Sequence, residues 1–237
     1  MERSPNKLIP HDLATVPGLD ELEASRVRVG QVSAEVEAIG IGVFSDGDLP
    51  SGLGFARADL EAAGFSATEG TSLVLPGIGV ADQILIGLGE RSGLSDRVLR
   101  DAAATLARAA ARRSVLGLRI DDIAGVEPAA AIQSLAEGAL LARYRYTVLT
   151  AASKHVPLGE LTLEMPTGEA DPEAAVAEAT VRVRAAVVAR DLANTPPGHL
   201  TAVNMGEIAT ELGGRFGFEV EIYGKQQLIE LGCGGLL

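Results

Sequence analysis

Few residues in this sequence combine a reactive type with a useful spacing. Glycines punctuate one segment: Gly77-Ile-Gly79-Val80, then Gly87-Leu-Gly89 followed by Gly93. Such a loop cradles phosphate when its backbone amides open a helix, but the dinucleotide fingerprint needs G-x-G-x-x-G. Here the third glycine falls one residue late, and no acid stands at a strand end the expected distance on. Gly87 and Gly89 are therefore expected to permit a tight strand-to-loop turn. Asp46-Gly-Asp48 offers half of an oxygen-rich metal loop, without the further carboxylates and closing Glu of an EF-hand. A solvated turn is the expectation there, and Asp121-Asp122 after a strand reads as loop or cap chemistry. His11, His155 and His199 are scattered, with no H-x-x-x-H and no nearby acid cluster. Cys233 has no His or second Cys at metal spacing, and no G-x-S-x-G nucleophile elbow occurs. Local chemistry thus assigns no catalytic, cofactor-binding or metal-ligating residue.

Composition narrows the classes further. The 237 residues are 47% hydrophobic and 22% charged, with a mean hydropathy of +0.22, which is ample for a core and excludes disordered and fibrous classes. Asp+Glu 32 against Lys+Arg 20 leaves a formal charge of -12, so phosphate neutralisation gains little and nucleic-acid binding is disfavoured. Aromatics at 3% and the absence of Trp leave few stacking platforms for single strands. The longest run of apolar, glycine and proline residues, Leu73 to Ala81, is far short of the ~20 residues that span a bilayer. The first residues carry Pro, Asp and Glu where an export signal needs an apolar stretch. One cysteine excludes an internal disulfide. The expectation is a cytoplasmic chain with no membrane partner.

The elements alternate. Residues 1–29 are polar, proline-containing and without steady periodicity, and read as a loose lead-in. Ser33 to Phe44 passes from alternation into a wholly apolar run, as a strand entering a buried sheet does. A short helix at Phe55 to Ala63 precedes strands at Leu73 to Leu75 and Gln83 to Leu88. Ser95 is a candidate N-cap with Asp96 at the positive end of a helix dipole; the helix runs to Arg113. A strand at 114–120 follows, then a helix from Pro128 to about Leu141 and an alternating strand at Gly159 to Met165. Asp171-Pro172-Glu173 is a cap, an N1 proline and a first-turn acid, opening a helix to about Ala193. Its narrow stripe of Val176, Ala179, Val183 and Val187 suits a helix packed closely against something. Beyond Thr195-Pro-Pro-Gly, a helix at Val203 to about Leu212, an alternating strand Phe218 to Tyr223 and a short helix from Lys225 are expected. Leu236-Leu237 reads as the opening of an apolar strand. Strands alternating with helices predict an α/β fold with helices on both faces of a largely parallel or mixed sheet. Residues 195–237 cannot close a core alone, so they are expected to begin a second domain that is incomplete.

The segment Ala189-Arg-Asp-Leu-Ala-Asn-Thr-Pro-Pro-Gly-His-Leu-Thr201 resembles the leucyl (cytosol) aminopeptidase family, in which a connecting helix ends in a pattern like A-R-D-L-x-N-x-P-P. Arg190, Asp191, Leu192, Asn194, Pro196, Pro197 and Leu200 fall on it, and Gly217, Val220, Leu228, Gly232 and Gly235 continue it downstream. Upstream, Gly87-Leu-Gly89 is similar to the family's strand-end glycines. Ala136-Glu-Gly-Ala-Leu-Leu-Ala-Arg-Tyr-Arg-Tyr146 is similar to its A-E-G-x-x-L-(G/A)-x-Y-x-(F/Y) helix end. The resemblance runs roughly from Val36 to Leu237.

The resemblance implies a three-layer α/β/α macro-domain-like N-terminal domain over residues 30–168, a long connecting helix over 169–194, and the truncated start of a second α/β domain, the metallopeptidase catalytic domain, over 195–237. It implies a dinuclear metallo-aminopeptidase that releases N-terminal residues, often leucine, from peptides and assembles as a homo-hexamer. Two divalent ions, manganese or zinc, would polarise the scissile carbonyl and activate water. The family's ligands come from motifs like G-K-G-x-x-F-D-S-G-G and N-T-D-A-E-G-R, expected beyond Leu237; Asn194-Thr195 runs into Pro196 and is not the second of these. This chain is expected to hold no metal and to serve architecture and assembly. Arg190 and Asp191 are expected to be structural, since helix-end charges usually serve dipole and packing needs. The alternative is a stand-alone macro-like module that binds a nucleotide or ADP-ribose.

Overall fold

Six strands form one sheet in the computed structural model, which describes residues 14–236. They are β1 (Arg26–Val29), β2 (Ala38–Phe44), β3 (Ser72–Leu75), β4 (Asp82–Gly89), β5 (Val115–Arg119) and β6 (Glu160–Glu164), in the spatial order β1-β6-β5-β2-β4-β3. Every neighbouring pair is parallel except β3 with β4, so the sheet is mixed, with one antiparallel edge. The helices are α1 (Pro17–Ala24), α2 (Arg57–Ala62), α3 (Asp96–Ala109), α4 (Pro128–Arg143), α5 (Pro172–Asn194), α6 (Ala202–Phe216) and α7 (Lys225–Glu230). The chain divides into two compact units, Val16–Asp191 and a second that holds the residues from Leu192 on.

Period-2 alternation sorts the central strands onto two cores. Ile84, Ile86 and Leu88 of β4 join Leu99, Leu106, Ile132 and Leu135 of α3 and α4 on one face, while Leu85 points to the other with Ile41, Val43, Leu60 and Phe65. The layers are unequal: α3 and α4 cover the first face, and the short α2 with its flanking loops covers the second. Two glycines of β2 make room for large neighbours, Gly40 for Leu106 of α3 and Gly42 for Ile120 just after β5. A Cβ at Gly40 would lie 2.9 Å from Leu106, and one at Gly42 would lie 2.5 Å from Ile120. Removing both side chains lets those large residues reach the sheet.

Most expected elements occur within a few residues of their predicted limits. Asp171 caps α5, its Oδ1 accepting from the Glu173 and Ala174 amides at 3.0 and 3.2 Å. Ser95 stands at the N-cap of α3 but makes no side-chain cap bond.

Four expectations need correction. The predicted 1–29 lead-in contains α1 and β1, and β1 pairs along β6 from Arg26 with Glu160 to Val29 with Leu163, so the unit begins inside that stretch. Both elements are short and rely on distant partners, and so lack a periodic signature. Residues 1–13 lie outside the described residues. The helix predicted to leave as a connector lies in the first unit as far as Asp191, with Ala175, Ala179, Val183 and Val187 buried. Phe218 to Tyr223 alternates like a strand yet forms none, because no strand among the described residues of its unit offers a ladder of amides and carbonyls. It runs beside α6 instead, with Val220 at Gly213 and Ile222 at Gly206. Gly234–Leu236 is a single 3-10 turn rather than the opening of a strand.

Candidate functional site

The residues singled out by the motifs converge on buried polar joints. Asp191 is fully buried near the end of α5. Its Oδ2 accepts from the Gly18 amide at 2.8 Å and its Oδ1 from the Tyr144 hydroxyl at 3.0 Å, with the Leu19 amide also hydrogen-bonded to the carboxyl. Val16 supplies no side-chain cap to α1, so Asp191 satisfies the open first turn of that helix from 173 residues away. A Cβ at Gly18 would stand 2.8 Å from Tyr144 and 2.9 Å from Val187, so only glycine admits this approach. Burial pushes the Asp191 carboxyl above its ordinary pKa, against the hydrogen bonds from Tyr144, Gly18 and Leu19 that pull it down. Arg190 lies over the Tyr144 ring, 5.5 Å from its centroid, and donates to the Leu141 carbonyl at 2.9 Å. The pair thus ties α5 to the end of α4 and the start of α1.

The Ala136-Glu-Gly138 sequence is a second joint. Gly138 faces α3, where a Cβ would sit 2.0 Å from the Arg100 carbonyl oxygen. The adjacent Glu137, nearly buried, accepts from Arg100 Nε at 3.0 Å and lies 3.7 Å from Arg182 of α5. Arg143 is a third. It is 4% exposed and donates to the Ala107 and Ala110 carbonyls at 3.2 and 3.0 Å, to the Arg113 carbonyl at 2.8 Å and to that of Val156. These close the last turn of α3, where unpaired carbonyls carry the negative end of the dipole. Burial lowers the Arg143 pKa from its ordinary value. The helix-end pattern includes Tyr144, but no local sequence signal marks Gly18 or Arg143 for these tasks, because their partners lie in other elements.

The carboxyl ends of the parallel strands are where α/β sheets place ligands. Here Arg91 holds that edge. It pairs with Asp122, its amide donates to Asp46 Oδ1 at 2.9 Å, and its guanidinium lies 4.5 Å from the Phe44 ring centroid. Asp46 and Asp122 are therefore brought together, but as partners of one arginine. Asp48 is exposed. The strand-end glycines serve chain packing: a Cβ at Gly87 would meet the Thr68 carbonyl oxygen at 2.0 Å, and Gly89 has a φ of +72°. The Gly87 and Gly89 amides donate to Thr71 and Ala67 carbonyls, both at 2.9 Å, so they are not presented to a phosphate. A macro-like nucleotide module is not favoured by this arrangement.

His155 Nε2 lies 2.8 Å from Glu21 Oε1, and His199 is held through its amide on the Pro196 carbonyl at 2.8 Å. His11 falls outside the described residues. Cys233 is half-buried with a free thiol. Among the described residues, no three His, Cys, Asp or Glu side chains cluster as a metal would require. The donor set for the two divalent ions implied by the family resemblance is not formed by the described residues.

In the second unit, α6, residues 218–224 and α7 frame a groove of about 860 Å³ lined by Val203, Ile222, Tyr223, Leu228 and Leu236. Val203 is 71% exposed and Leu231 60%, whereas Ile208 is buried.

A profile of the cytosol aminopeptidase family, N-terminal domain, matches residues 54–153. The probable cytosol aminopeptidase of Thermosynechococcus vestitus is 32% identical over 181 residues, covering 73% of this chain and 36% of that protein. The corresponding protein of Mycobacterium leprae is 32% identical over 193 residues, 77% of this chain and 36% of its own length. The chain spans about a third of the length of these curated relatives. Among solved structures, the bottromycin maturation enzyme BotP is 29% identical with a TM-score of 0.68, over 83% of this chain and 41% of that one. A tomato leucine aminopeptidase variant, 18% identical, shares the fold with a TM-score of 0.75 over 88% of this chain and 46% of its own. These matches and the mixed, helix-flanked sheet agree: the chain belongs to the cytosol aminopeptidase family, and its α/β unit is that family's N-terminal domain.

Proposed function

We propose that this chain is the architectural N-terminal part of an aminopeptidase that releases N-terminal residues from peptides, and that it hydrolyses nothing by itself. The observation that carries the reading is the use made of its charged motif residues. Asp191, Arg190, Glu137 and Arg143 are spent on helix ends and interhelical joints, bonded to amides, carbonyls and side chains of their own unit. The enzyme would use two divalent ions, manganese or zinc, held by groups that residues 14–236 do not bring together. It would act in the cytosol and assemble as a homo-oligomer, with the hexamer of the family as the expected form. In support of a cytosolic site, no described helix is long and apolar enough to cross a membrane, and the relatives are named as cytosol aminopeptidases. The test is incubation of the purified chain with Mn²⁺ or Zn²⁺ and a chromogenic leucyl amide. Background rates are expected. Chelator-sensitive turnover above background would show that these residues do build a metal site.

A further inference from the structure

A cavity of about 450 Å³ lies where α3 ends, and the chain between α4 and β6 passes across it. It is at the amino ends of β5 and β6, the opposite edge of the sheet from Arg91. Arg108, Arg112, Arg143, Arg145 and Lys154 line it, and among the described residues no Asp or Glu does. That is a quarter of the 20 Lys and Arg residues gathered in one hollow of a chain whose formal charge is -12.

Among the described residues, Arg108 reaches only Thr105 Oγ1, at 3.4 Å, and Arg145 only the Tyr144 carbonyl, at 2.9 Å. Among the described residues, neither these two nor Arg112 and Lys154 forms an ion pair. The acids that act on the buried Arg143 from nearby, Glu21 and Glu37, already have partners, that of Glu21 being His155 on the cavity wall. Glu37 is on the Ser114 and Val115 amides. Arg145 stands close enough to Arg143 to repel it. The negative end of α3 attracts cations, but its Ala107 and Ala110 carbonyls are already taken by Arg143. Hence, among the described residues, Arg108, Arg112, Arg145 and Lys154 stand around the buried Arg143 with no ion pair of their own.

We infer that this cavity binds a small phosphate-bearing anion carrying two or more negative charges. Guanidinium forks match phosphate oxygens in pairs, and Thr147 and Thr150 on the crossing loop add hydroxyl donors to the same wall. The volume falls in the ~300–1,000 Å³ range of small-molecule sites. The inference uses residues of the α/β unit alone and is independent of the proposed peptidase role.

The test is calorimetric titration of the full chain with inorganic pyrophosphate and, separately, with ADP, at low and raised salt. Saturable binding with a Kd below about 1 mM is expected at low salt, weakening as salt rises. The variant R112A/K154A changes only exposed side chains, so it should melt like the wild type without ligand and bind at least about tenfold more weakly, or ~1.4 kcal/mol. Tighter binding of ADP than of pyrophosphate assigns the site to nucleotides, and equal binding assigns it to the phosphate groups alone; both uphold the anion site. The absence of saturable heat for either ligand, or equal affinity in the variant, overturns it. If these cations serve only the α3 dipole, R112A/K154A melts lower and pyrophosphate raises the melting temperature of neither protein.

Discussion

Replacement of Asp191 probes the joint on which α1, α4 and α5 meet. In D191A the Gly18 and Leu19 amides lose their acceptor inside the protein, and the Tyr144 hydroxyl loses its partner. The two buried amides cost about 1–3 kcal/mol each and the half-buried hydroxyl adds little, so a loss of about 2–6 kcal/mol is expected. For a unit of this length each kcal/mol lowers Tm by about 2–4 °C, giving a drop on the order of 10 °C. D191N should behave differently. Its amide oxygen still accepts from Gly18 and its NH2 can donate to the Tyr144 hydroxyl, so its loss should stay near 1 kcal/mol. The pH dependence separates the two protonation states. Burial raises the folded pKa of Asp191 above its unfolded value of about 3.9, so the native state holds this proton to higher pH than the unfolded chain. The stability from this group is fully present below the unfolded pKa and is lost as pH rises through the folded pKa. D191N has no such titration. The margin of the wild type over D191N should therefore shrink as pH rises from about 4 and level off above the folded pKa. Urea unfolding of wild type, D191N and D191A across that range measures it. A margin that grows with pH means hydrogen bonding outweighs burial and the carboxyl is depressed; D191A within about 0.5 kcal/mol of wild type means the joint is not structural.

Two further outcomes rest on packing alone. G138A places a methyl 2.0 Å from the Arg100 carbonyl, so α3 and α4 must separate, at about 1–3 kcal/mol. G93A, where a methyl meets nothing within 4 Å, is the matched control, and equal melting of the two variants would refute the steric account. In the second unit, Val203, Ile222 and Leu231 are 71%, 54% and 60% exposed, and covering each would contribute about 1.5–3 kcal/mol. Sedimentation should show concentration-dependent association of the full chain that V203D/L231D abolishes. A wild type that stays monomeric at all concentrations would show that this face needs no cover.

What was legible in the sequence follows from the range of the interaction behind each signal. Asp171-Pro172-Glu173 locates the start of α5 because a cap acts within three residues. The apolar runs of β2 and β4 are legible because a central parallel strand is buried on both faces. The start of the first unit is not legible. α1 is eight residues long with no cap of its own, and its acceptor comes from the far end of α5. Phe218 to Tyr223 misleads for the converse reason: alternation describes one surface of a segment, while a strand also needs a neighbour for its amides.

The same distinction bears on function. Charged residues in compact motifs invite a chemical reading, because catalysis concentrates such groups and shifts their pKa values. Structural joints do the same. Asp191 has a shifted carboxyl, an aromatic hydroxyl beside it and an arginine next in the chain, yet each partner is one that a helix end or an interhelical contact requires. What separates the two cases is the state of the hydrogen bonds. The Asp191 carboxyl is occupied by amides and a hydroxyl of its own unit, which leaves no face for a substrate, whereas Arg112 and Lys154 line a cavity and form no ion pair among the described residues. On that criterion the motif residues of this chain hold the domain together, and the groups free to meet a ligand are the ones that no motif marked.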